Sequence, residues 1–485
     1  MTTDSIHDQR PPYAGTRPPR LSEIPAFVDH IARDWGHRSV PVALPEGTEA
    51  AAAEHRRRLS HALPGRAIVA AAGTAPIRND DSAYGFRADS DFVWLTGVQV
   101  EGAVLVMTPT AGGHDSTVYL PPPPLRPGTE GFFSDALHGE LWVGSSPGIE
   151  EWSRALDLPV RDIAELETAT IRSAEGPAWS TRVVPEALRA QHGLEVSQEL
   201  RRPLSQLRMI KDEWEIEQLR HAVDATVGGF AAVATEIPRA LAQGLGERWL
   251  QGTFERHSRT HGNGPGYSTI VGSGPNAPIL HWTRCDGPIL PDSALLLDMG
   301  VEARSLYTAD VTRTLPVSGT FSTAQRRVHD LVERSHRTAM SHVRPGVNYL
   351  EFHFAAMEVL AQGLHDWGIL PVSVDEALSP AGQQHRRYLV CGIGHHLGLD
   401  VHDCSQAQWE DYMGADLEAG MVMTVEPGLY FHENDLTVPP ELRGIGVRLE
   451  DDLLLTASGA EVLSEALPID AIGIENWTRS HASSA

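Results

Sequence analysis

The feature that most constrains this chain is a set of charged side chains at the ends of apolar runs in its C-terminal half. Asp298 closes the leucine run of LLLDMG, Glu426 follows the apolar stretch of MVMTVEPGLYF, and Glu450 lies among the valines and leucines of RGIGVRLEDDLLL. A carboxylate at the end of a buried strand is costly unless it is paired or metal-bound. One such aspartate usually only caps a turn, so it is the recurrence of the pattern that favours a functional site.

Another carboxylate, Asp310, follows Asp298 in the β-branched segment YTADVTRT. Such a segment favours a strand that pairs with the preceding one in a hairpin, which would bring both carboxylates to one side. Two adjacent carboxylates repel each other, and a cation relieves that repulsion. The pair therefore indicates a metal site.

Histidines and an arginine accompany these carboxylates. His395, His396 and His402 lie among glycines in CGIGHHLGLDVHD, and histidine is the commonest neutral metal ligand and a ready acid or base. Because the chain has 23 histidines, a cluster of satisfied loop histidines is the more common alternative for this segment taken alone. Arg448 precedes Glu450 by two residues, which predicts that both lie on one face of a strand.

Three or four carboxylates with one imidazole form a hard, oxygen-rich ligand set. Such a set favours Mn²⁺, and less strongly Co, Fe, Zn or Mg, over the thiolate sites of structural zinc. Two divalent ions about 3.5 to 4 Å apart can hold a hydroxide and polarise a carbonyl in one step. The residues therefore predict a site for two divalent metal ions.

The composition argues against several other functions. The 485 residues carry 64 acidic and 39 basic side chains, a net charge of −25, so nucleic acid is not expected as a partner, because phosphates are bound by clustered lysine and arginine. No stretch approaches the roughly 20 apolar residues that span a bilayer, so no membrane partner is expected. The polar N-terminus and three cysteines without CxxC spacing predict a cytoplasmic protein.

The length of the chain predicts at least two domains. Apolar runs predict strands at residues 67–71, 103–107, 117–120, 294–299 and 421–425, with a loop forced by the prolines at 121–124. Capping pairs predict the starts of three helices: Asp212 with Glu215, Ser322 with Gln325, and Asn348 with Glu351. We expect a disordered leader (1–45), an α/β domain (46–205), a mixed α/β catalytic domain (206–477) and a frayed tail (478–485).

The order of the motifs resembles that of the pita-bread metallopeptidases, and within them it is similar to aminopeptidase P more than to prolidase, creatinase or methionine aminopeptidase. The resemblance spans residues 56–463 and rests on RADSDFVWLTG, YSTIVGSGPNAPILHWT, LLLDMG, ADVTRTLPVSG, GHHLGLDVHD, TVEPGLY and RGIGVRLEDD. It implies an α/β N-terminal domain followed by an α+β pita-bread catalytic domain. It also implies a metal-dependent aminopeptidase that cleaves between an N-terminal residue and a following proline.

The resemblance also implies roles for individual residues. Two metal ions would be bound by five residues, of which Asp310 and Glu450 bridge the ions: Asp298, Asp310, His395, Glu426 and Glu450. Catalysis would use His281 and His402 beside the substrate, Glu426 as the acceptor of a proton from the bridging water, and Arg448 to orient Glu450 or the substrate. The substrate pocket would include Tyr267 and, from the first domain, Asp91 and Trp94, although such first-domain residues more often serve packing and capping.

One residue departs from the family pattern near the site. Cys391 stands where many members carry a histidine, so one hydrogen-bond donor to the substrate is missing or replaced by a weaker thiol. Two alternatives stay open: a prolidase restricted to Xaa-Pro dipeptides, and a pita-bread protein that has lost its metals and serves as a binding module. Similar proteins form dimers or tetramers, so a homo-oligomer is expected.

Overall fold

A computed structural model describes residues 20–36, 38–80 and 82–482. The helices of the N-terminal part are α1 (Pro25–Ile31), α2 (Thr48–Ala62), α3 (Ser90–Thr96), α4 (Glu140–Val143), α5 (Ile149–Leu156), α6 (Glu186–His192) and α7 (Gln198–Met209). Its strands are β1 (Ile68–Ala71), β2 (Ile77–Asn79), β3 (Ser82–Ala83), β4 (Val104–Thr110), β5 (Gly113–Leu120), β6 (Val160–Asp162), β7 (Trp179–Ser180) and β8 (Glu195–Val196).

The C-terminal part contains longer helices and antiparallel strands. Its helices are α8 (Glu213–Gln243), α9 (Glu247–His261), α10 (Thr323–His342), α11 (Leu350–Asp366), α12 (Val374–Leu378) and α13 (Ala471–Ala482). Its strands are β9 (Gly264–Pro265), β10 (Ile270–Ser273), β11 (Ala294–Met299), β12 (Val301–Glu302), β13 (Val311–Pro316), β14 (Val422–Val425), β15 (Gly428–Phe431), β16 (Ile445–Arg448), β17 (Asp451–Thr456) and β18 (Gly459–Val462). Within the described ranges, no helix is both long and apolar enough to cross a bilayer.

The N-terminal part is built on one mixed sheet in the order β6-β5-β4-β1-β7-β8. Strand β1 lies at its centre, antiparallel to β4 and parallel to β7, and all four of its residues are buried. An apolar run without alternation is what a strand buried on both faces requires. The predicted α/β class is confirmed, and β1, β4 and β5 lie on the three apolar runs that predicted strands.

The C-terminal part combines helices with antiparallel sheets, which confirms the predicted α+β class. Strand β11 pairs with β13 so that Asp298 lies opposite Thr312, and Asp310 directly precedes β13. The predicted hairpin-like pairing is therefore present. A second sheet has the order β14-β17-β18, and β15 pairs with β16. The ends of these strands carry the charged residues singled out in the sequence.

Two of the three predicted capping pairs are formed. Asp212 and Glu215 form a reciprocal capping box at the start of α8, and Ser322 with Gln325 does the same for α10. The third pair differs, because the Asn348 side chain accepts from the backbone N–H of Leu350 instead. Helix α11 therefore begins at Leu350, without a capping box.

Three predicted boundaries differ from the structure. Helix α7 crosses the expected boundary at residue 205, because Leu200 and Leu204 pack into an apolar cluster that both parts of the chain share. Helix α1 falls within the predicted leader, where Phe27 lies 5.2 Å from Phe133 between ring centroids. Helix α13 continues through Ala482, with Thr478 buried, so the described part of the tail is helical. The remainder of the predicted leader (1–19) and of the tail (483–485) lies outside the described residues.

A buried histidine links the two parts of the chain. His55 of α2 places Nδ1 2.7 Å from the carbonyl oxygen of Trp94, and Nε2 2.9 Å from Asp212 and 3.4 Å from Glu215. Because each ring nitrogen faces an acceptor, both must donate, and the ring is an imidazolium. Burial opposes this charge, but the hydrogen bonds to Asp212 and Glu215 raise the pKa of His55 to about 9.

We expect this imidazolium to make stability depend on alkaline pH. Its pKa is raised from 6.5 to about 9 by folding, so its contribution is fully present below pH 6.5 and is lost as the pH rises through 9. Urea unfolding at a series of pH values should show this loss in the wild type, and the His55→Gln variant should lack most of it. An equal loss in both proteins would contradict the assignment of charge to His55.

Candidate metal centre

Four strand ends and one loop bring together the five predicted ligands, which we call the metal centre: Asp298, Asp310, His395, Glu426 and Glu450. Glu426 directly follows β14, and Glu450 lies between β16 and β17. The loop that carries His395 runs beside β14, because the backbone N–H of Thr424 donates to the His395 carbonyl and that of Glu426 to the Ile393 carbonyl, each at 2.9 Å. The antiparallel pairing thus positions residues that are far apart in sequence.

Distances within the metal centre are those of potential ligands to a shared ion. His395 Nε2 lies 3.3 Å from Asp310 Oδ2 and 3.5 Å from Glu426 Oε1. One ligand atom each from Asp310, His395 and Glu450 lies within 4.8 Å of the other two. Asp298, Asp310 and Glu450 are buried, at 8%, 6% and 1% exposure. The cluster is therefore compact, with three buried carboxylates, while His395 and Glu426 keep some contact with solvent.

The carboxylates of the metal centre destabilise one another's charges. Burial and the nearby Asp310 raise the pKa of Glu450 far above its usual value of 4.5. Burial likewise raises the pKa of Glu426 to about 7, even though His395 and Arg448 lower it. Burial also raises the pKa of Asp298. Divalent cations would remove this penalty, and the four carboxylates with one imidazole are the donors that hard divalent ions prefer.

Two further groups in the described residues could hold an ion by distance alone. In the group of His55, Asp212 and Glu215, both ring nitrogens are occupied by hydrogen bonds, one to Trp94 and one to Asp212. The other is His329, Asp330 and Glu333 along α10. Neither gathers charged side chains from as many separate segments as the metal centre does. The metal centre is therefore the best candidate.

Arg448 contacts a different carboxylate from the one that its position in the sequence favoured. Its guanidinium donates to Asp298 and, at 2.9 Å, to the hydroxyl of Tyr430. It reaches Glu450 only indirectly, because its Nε donates to Thr312 Oγ1 at 3.0 Å and that hydroxyl donates to Glu450 Oε2 at 2.6 Å. Arg448 therefore orients two carboxylates of the metal centre, one of them through Thr312.

Tyr267 contacts the metal centre directly. Its hydroxyl donates to Asp298 Oδ1 at 2.6 Å, and burial raises its pKa well above 10, so it remains a donor. A hydrogen bond to a ligand orients that ligand. On the opposite side, the backbone N–H of Asp310 donates to Asp452 Oδ2 at 3.0 Å. The sequence analysis did not identify Asp452 and Thr312, because nothing in the surrounding sequence indicates which residues they contact.

Of the two histidines predicted beside the substrate, His402 directly borders the metal centre. The ring of His402 lies 4.4 Å from that of His395 between centroids, at an angle of 81°. Burial, the charge of His395 and the charge of His281 lower the pKa of His402, so it is neutral at pH 7 and can donate or accept a hydrogen bond. His281 is exposed. Both therefore lie where a bound molecule could reach them.

Cys391 lies near the proton-accepting candidate. Burial and the charge of Glu426 raise the pKa of its thiol to about 11, so it is uncharged at neutral pH. Arg386 donates to the carbonyl oxygens of Val390 and Cys391, at 2.7 and 2.8 Å, which fixes this part of the loop. The thiol thus occupies a position beside Glu426 with only a weak donor to offer.

The two first-domain residues have different surroundings. Trp94 is 2% exposed, stacks on His55 and donates its indole N–H to Glu215 at 3.1 Å. The structure therefore places Trp94 in the core between the two parts of the chain and does not bring it to the metal centre. Asp91 accepts from Arg208 at 2.6 Å and lines a cleft that His402 also lines.

A buried ion network supports the loop of His402 and was not predicted from the sequence. Asp403 accepts from Arg208 at 2.6 Å and from Lys211 at 3.0 Å, and all three residues are buried. Although burial opposes its charge, Arg208 and Lys211 hold the pKa of Asp403 far below 3.8. The network ties α7 and the start of α8 to the segment that carries His402.

The chain matches two family models. Residues 217–457 match metallopeptidase family M24, and residues 52–177 match the N-terminal domain of aminopeptidase P. The metal centre falls within the first of these ranges. Asp91 and Trp94 fall within the second.

Similar proteins cover nearly the whole chain. Xaa-Pro aminopeptidase 2 of Streptomyces coelicolor is 46% identical over 437 residues, which is 88% of this chain and 90% of that protein. The Xaa-Pro aminopeptidase of Haemophilus influenzae is 34% identical, over 87% of this chain and 96% of that protein. The solved structure of Escherichia coli aminopeptidase P with the inhibitor Pro-Leu is similar with a TM-score of 0.79 and 27% identity, over 92% of this chain and all of that one. The chain therefore belongs to the aminopeptidase P group of metallopeptidase family M24, with the α/β N-terminal and pita-bread catalytic architecture of that group.

Proposed function

We propose that this protein is a metal-dependent aminopeptidase that hydrolyses the bond between an N-terminal residue and a following proline. The observation that carries the proposal is the metal centre, in which four carboxylates and His395 converge next to His402. The relatives named Xaa-Pro aminopeptidases support this activity over the others in the wider family. Its substrates are peptides with proline at the second position.

The cofactor of the proposed reaction is a pair of divalent ions, with Mn²⁺ favoured over Co, Fe, Zn or Mg by the hardness of the donors. Asp298, Asp310, His395, Glu426 and Glu450 would hold the pair. When bound, the ions supply Lewis acidity toward the scissile carbonyl and a water nucleophile at neutral pH. Tyr267 and Arg448 keep Asp298 in place by their hydrogen bonds to it.

Several side chains serve the reaction directly. Glu426 accepts a proton from the attacking water and delivers it to the proline nitrogen as the C–N bond breaks. His402 donates a hydrogen bond to the oxygen on which charge develops, and His281 borders the same space. Proline then leaves as the new N-terminus of the shortened peptide. Since the tertiary amide before proline has no N–H, selectivity must come from the shape of the pocket.

The proposal includes the surroundings in which the enzyme works. The excess of acidic side chains and the absence of CxxC spacing support a cytoplasmic protein without a nucleic-acid partner. A homo-oligomer, dimer or tetramer, is part of the proposal. We also propose the domain division at residues 46–205 and 206–477, with helix α7 continuous across it.

Cleavage of short peptides by protein loaded with Mn²⁺ tests the function. We expect release of alanine from Ala-Pro-Ala and from longer Ala-Pro peptides, and no cleavage of Ala-Ala-Ala. Cleavage of the dipeptide Ala-Pro but not of Ala-Pro-Ala would favour prolidase. Failure to cleave any of them, by protein shown to contain two ions, would contradict the proposal and favour a binding module.

A further inference from the structure

A cleft of about 670 Å³ is lined by residues from both parts of the chain, and His402 is one of them. We call it the exit cleft, and its walls come from the residues around α3, the end of β7 with the segment after it, one face of α7 and the segment around His402. Its volume lies within the range of roughly 300–1,000 Å³ of ligand pockets. It is therefore larger than one proline ring needs.

The exit cleft carries more arginines than its own carboxylates can pair with. Arg208 is paired with Asp91, Asp400 and Asp403, and Arg87 is paired with Glu302 and Asp400. Asp89 caps α3 by accepting from the backbone N–H of Phe92. These pairs use up the carboxylates that line the cleft.

Two arginines of the exit cleft have no carboxylate partner among the described residues. Arg182 is exposed at the end of the segment after β7. Arg201 donates to the side-chain oxygen of Gln406, which is neutral. The N-terminus of the twelve-residue helix α7 lines the same cleft and adds the partial positive charge of its unpaired N–H groups. This side of the cleft is therefore suited to an anion.

Buried hydroxyl groups point to the same conclusion. Ser180 Oγ and Thr181 Oγ1 belong to residues that line the cleft, are 1% and 6% exposed, and have no hydrogen-bond partner in the described part of the chain. The Nε of Arg208 is likewise buried without a partner. Buried polar groups are normally satisfied, so unpaired donors at β7 and on α7 favour a polar occupant over an apolar one.

We propose that the exit cleft holds the part of a peptide that follows the scissile bond, and that Arg182 and Arg201 bind a carboxylate there. The inference rests on the proposed function: His402 adjoins His395 of the metal centre and also lines the cleft, so a peptide cleaved at the metal centre can extend into it. The carboxylate is either the C-terminus of a short peptide or an acidic side chain of a longer one. Peptides with an anionic group beyond proline are therefore the preferred substrate class.

Paired substrates test this inference. We would measure kcat and KM for peptides of Ala-Pro followed by one to four alanines, each as a free acid and as a C-terminal amide. At the best length the free acid should have a KM roughly 3- to 10-fold lower than its amide, as expected for a charged hydrogen bond near the surface. An amide with one glutamate placed after proline separates a side-chain carboxylate from a terminal one, and either source supports the inference.

Variants assign the effect to the exit cleft. In Arg182→Gln, Arg201→Gln and the double variant, the ratio of acid to amide KM should fall toward one, and lysine at both positions should restore part of it. Arg220→Gln serves as the control, since Arg220 is a partly exposed arginine paired with Glu461 outside the cleft. Equal KM values for acids and amides at every length, or a preference that survives in the double variant, would overturn the inference.

A binding measurement separates this inference from the proposed function. Calorimetry with the product-like peptides Pro-Ala-Ala and Pro-Ala-Ala amide measures their affinity for the exit cleft without any cleavage. Tighter binding of the acid that is lost in the double variant supports the cleft even for a protein that cleaves nothing. If Xaa-Pro peptides are cleaved but free acids are not preferred over amides, the proposed function stands and the binding of a carboxylate in the exit cleft is contradicted.

Discussion

Replacing Glu450 with glutamine is expected to lower kcat/KM by more than the roughly 10- to 100-fold that follows the loss of a residue merely supporting a metal ligand. The same change should stabilise the metal-free protein. Burial and the charge of Asp310 raise the pKa of Glu450, so folding penalises its ionisation, and the neutral amide removes that penalty. Glutamine keeps the size of the side chain and can still accept from Thr312.

Two measurements check this pair of effects. Thermal unfolding of metal-free protein should give a higher midpoint for Glu450→Gln than for the wild type, and added Mn²⁺ should stabilise the wild type much more than the variant. Glu461→Gln is the control, because Glu461 is a half-exposed carboxylate that is paired with Arg220 and does not belong to the metal centre. A variant with normal activity, or with an unchanged response to Mn²⁺, would exclude Glu450 as a ligand.

Replacing Asp403 with alanine is expected to destabilise the folded protein by about 3–5 kcal/mol, the usual cost of removing one partner from a buried ion pair. Arg208 and Lys211 would lose the carboxylate that compensates their charges, although Asp91 and Asp400 would still contact Arg208. Lys211 would keep no carboxylate partner among the described residues. Because Asp403 adjoins His402, activity should fall as well.

Urea unfolding of Asp403→Ala and Asp403→Asn measures the loss of stability. The exposed pair of Glu54 with Arg57 gives the control, since Glu54→Ala removes an ion pair that water already screens and should leave the unfolding free energy nearly unchanged. If Asp403→Ala and Glu54→Ala had equal effects, the buried network would not hold α7 against the His402 segment.

Most carboxylates of the metal centre could be found in the sequence because each is a charged residue at the end of an apolar run that predicts a buried strand. Asp298 and Glu426 follow runs that predict buried strands, and both lie at the ends of such strands in the structure. The pairing of β11 with β13 also followed from local properties, since β-branched residues favour strands. Charge in an apolar pattern is a local signal that needs no knowledge of the fold.

The residues that support the metal centre could not be found in this way. Thr312, Asp452 and Asp403 contact partners more than 100 residues away in three of their hydrogen bonds, and their own surroundings in the sequence are ordinary. Trp94 was misplaced for a related reason, because its partner Glu215 lies 121 residues further along the chain. Such long-range pairs depend on how the two parts of the chain pack.

The chain ends and the domain boundary also depend on long-range contacts that local sequence patterns do not reveal. Helix α7 continues past residue 205 because Leu200 and Leu204 pack into the shared apolar cluster, which a local change in composition does not reveal. Helices α1 and α13 occur where polar residues predicted disorder, because contacts such as that of Phe27 with Phe133 stabilise them. Tertiary packing thus overrides weak local preference.

The most direct test of the metal centre follows Ala-Pro-Ala cleavage while metal is removed and then returned. Exhaustive chelation should abolish cleavage, and titration with Mn²⁺ should restore it in step with the binding of two ions per chain. Asp298→Ala should neither bind the full two equivalents nor recover. Cleavage that persists in protein shown to be free of metal would contradict the account.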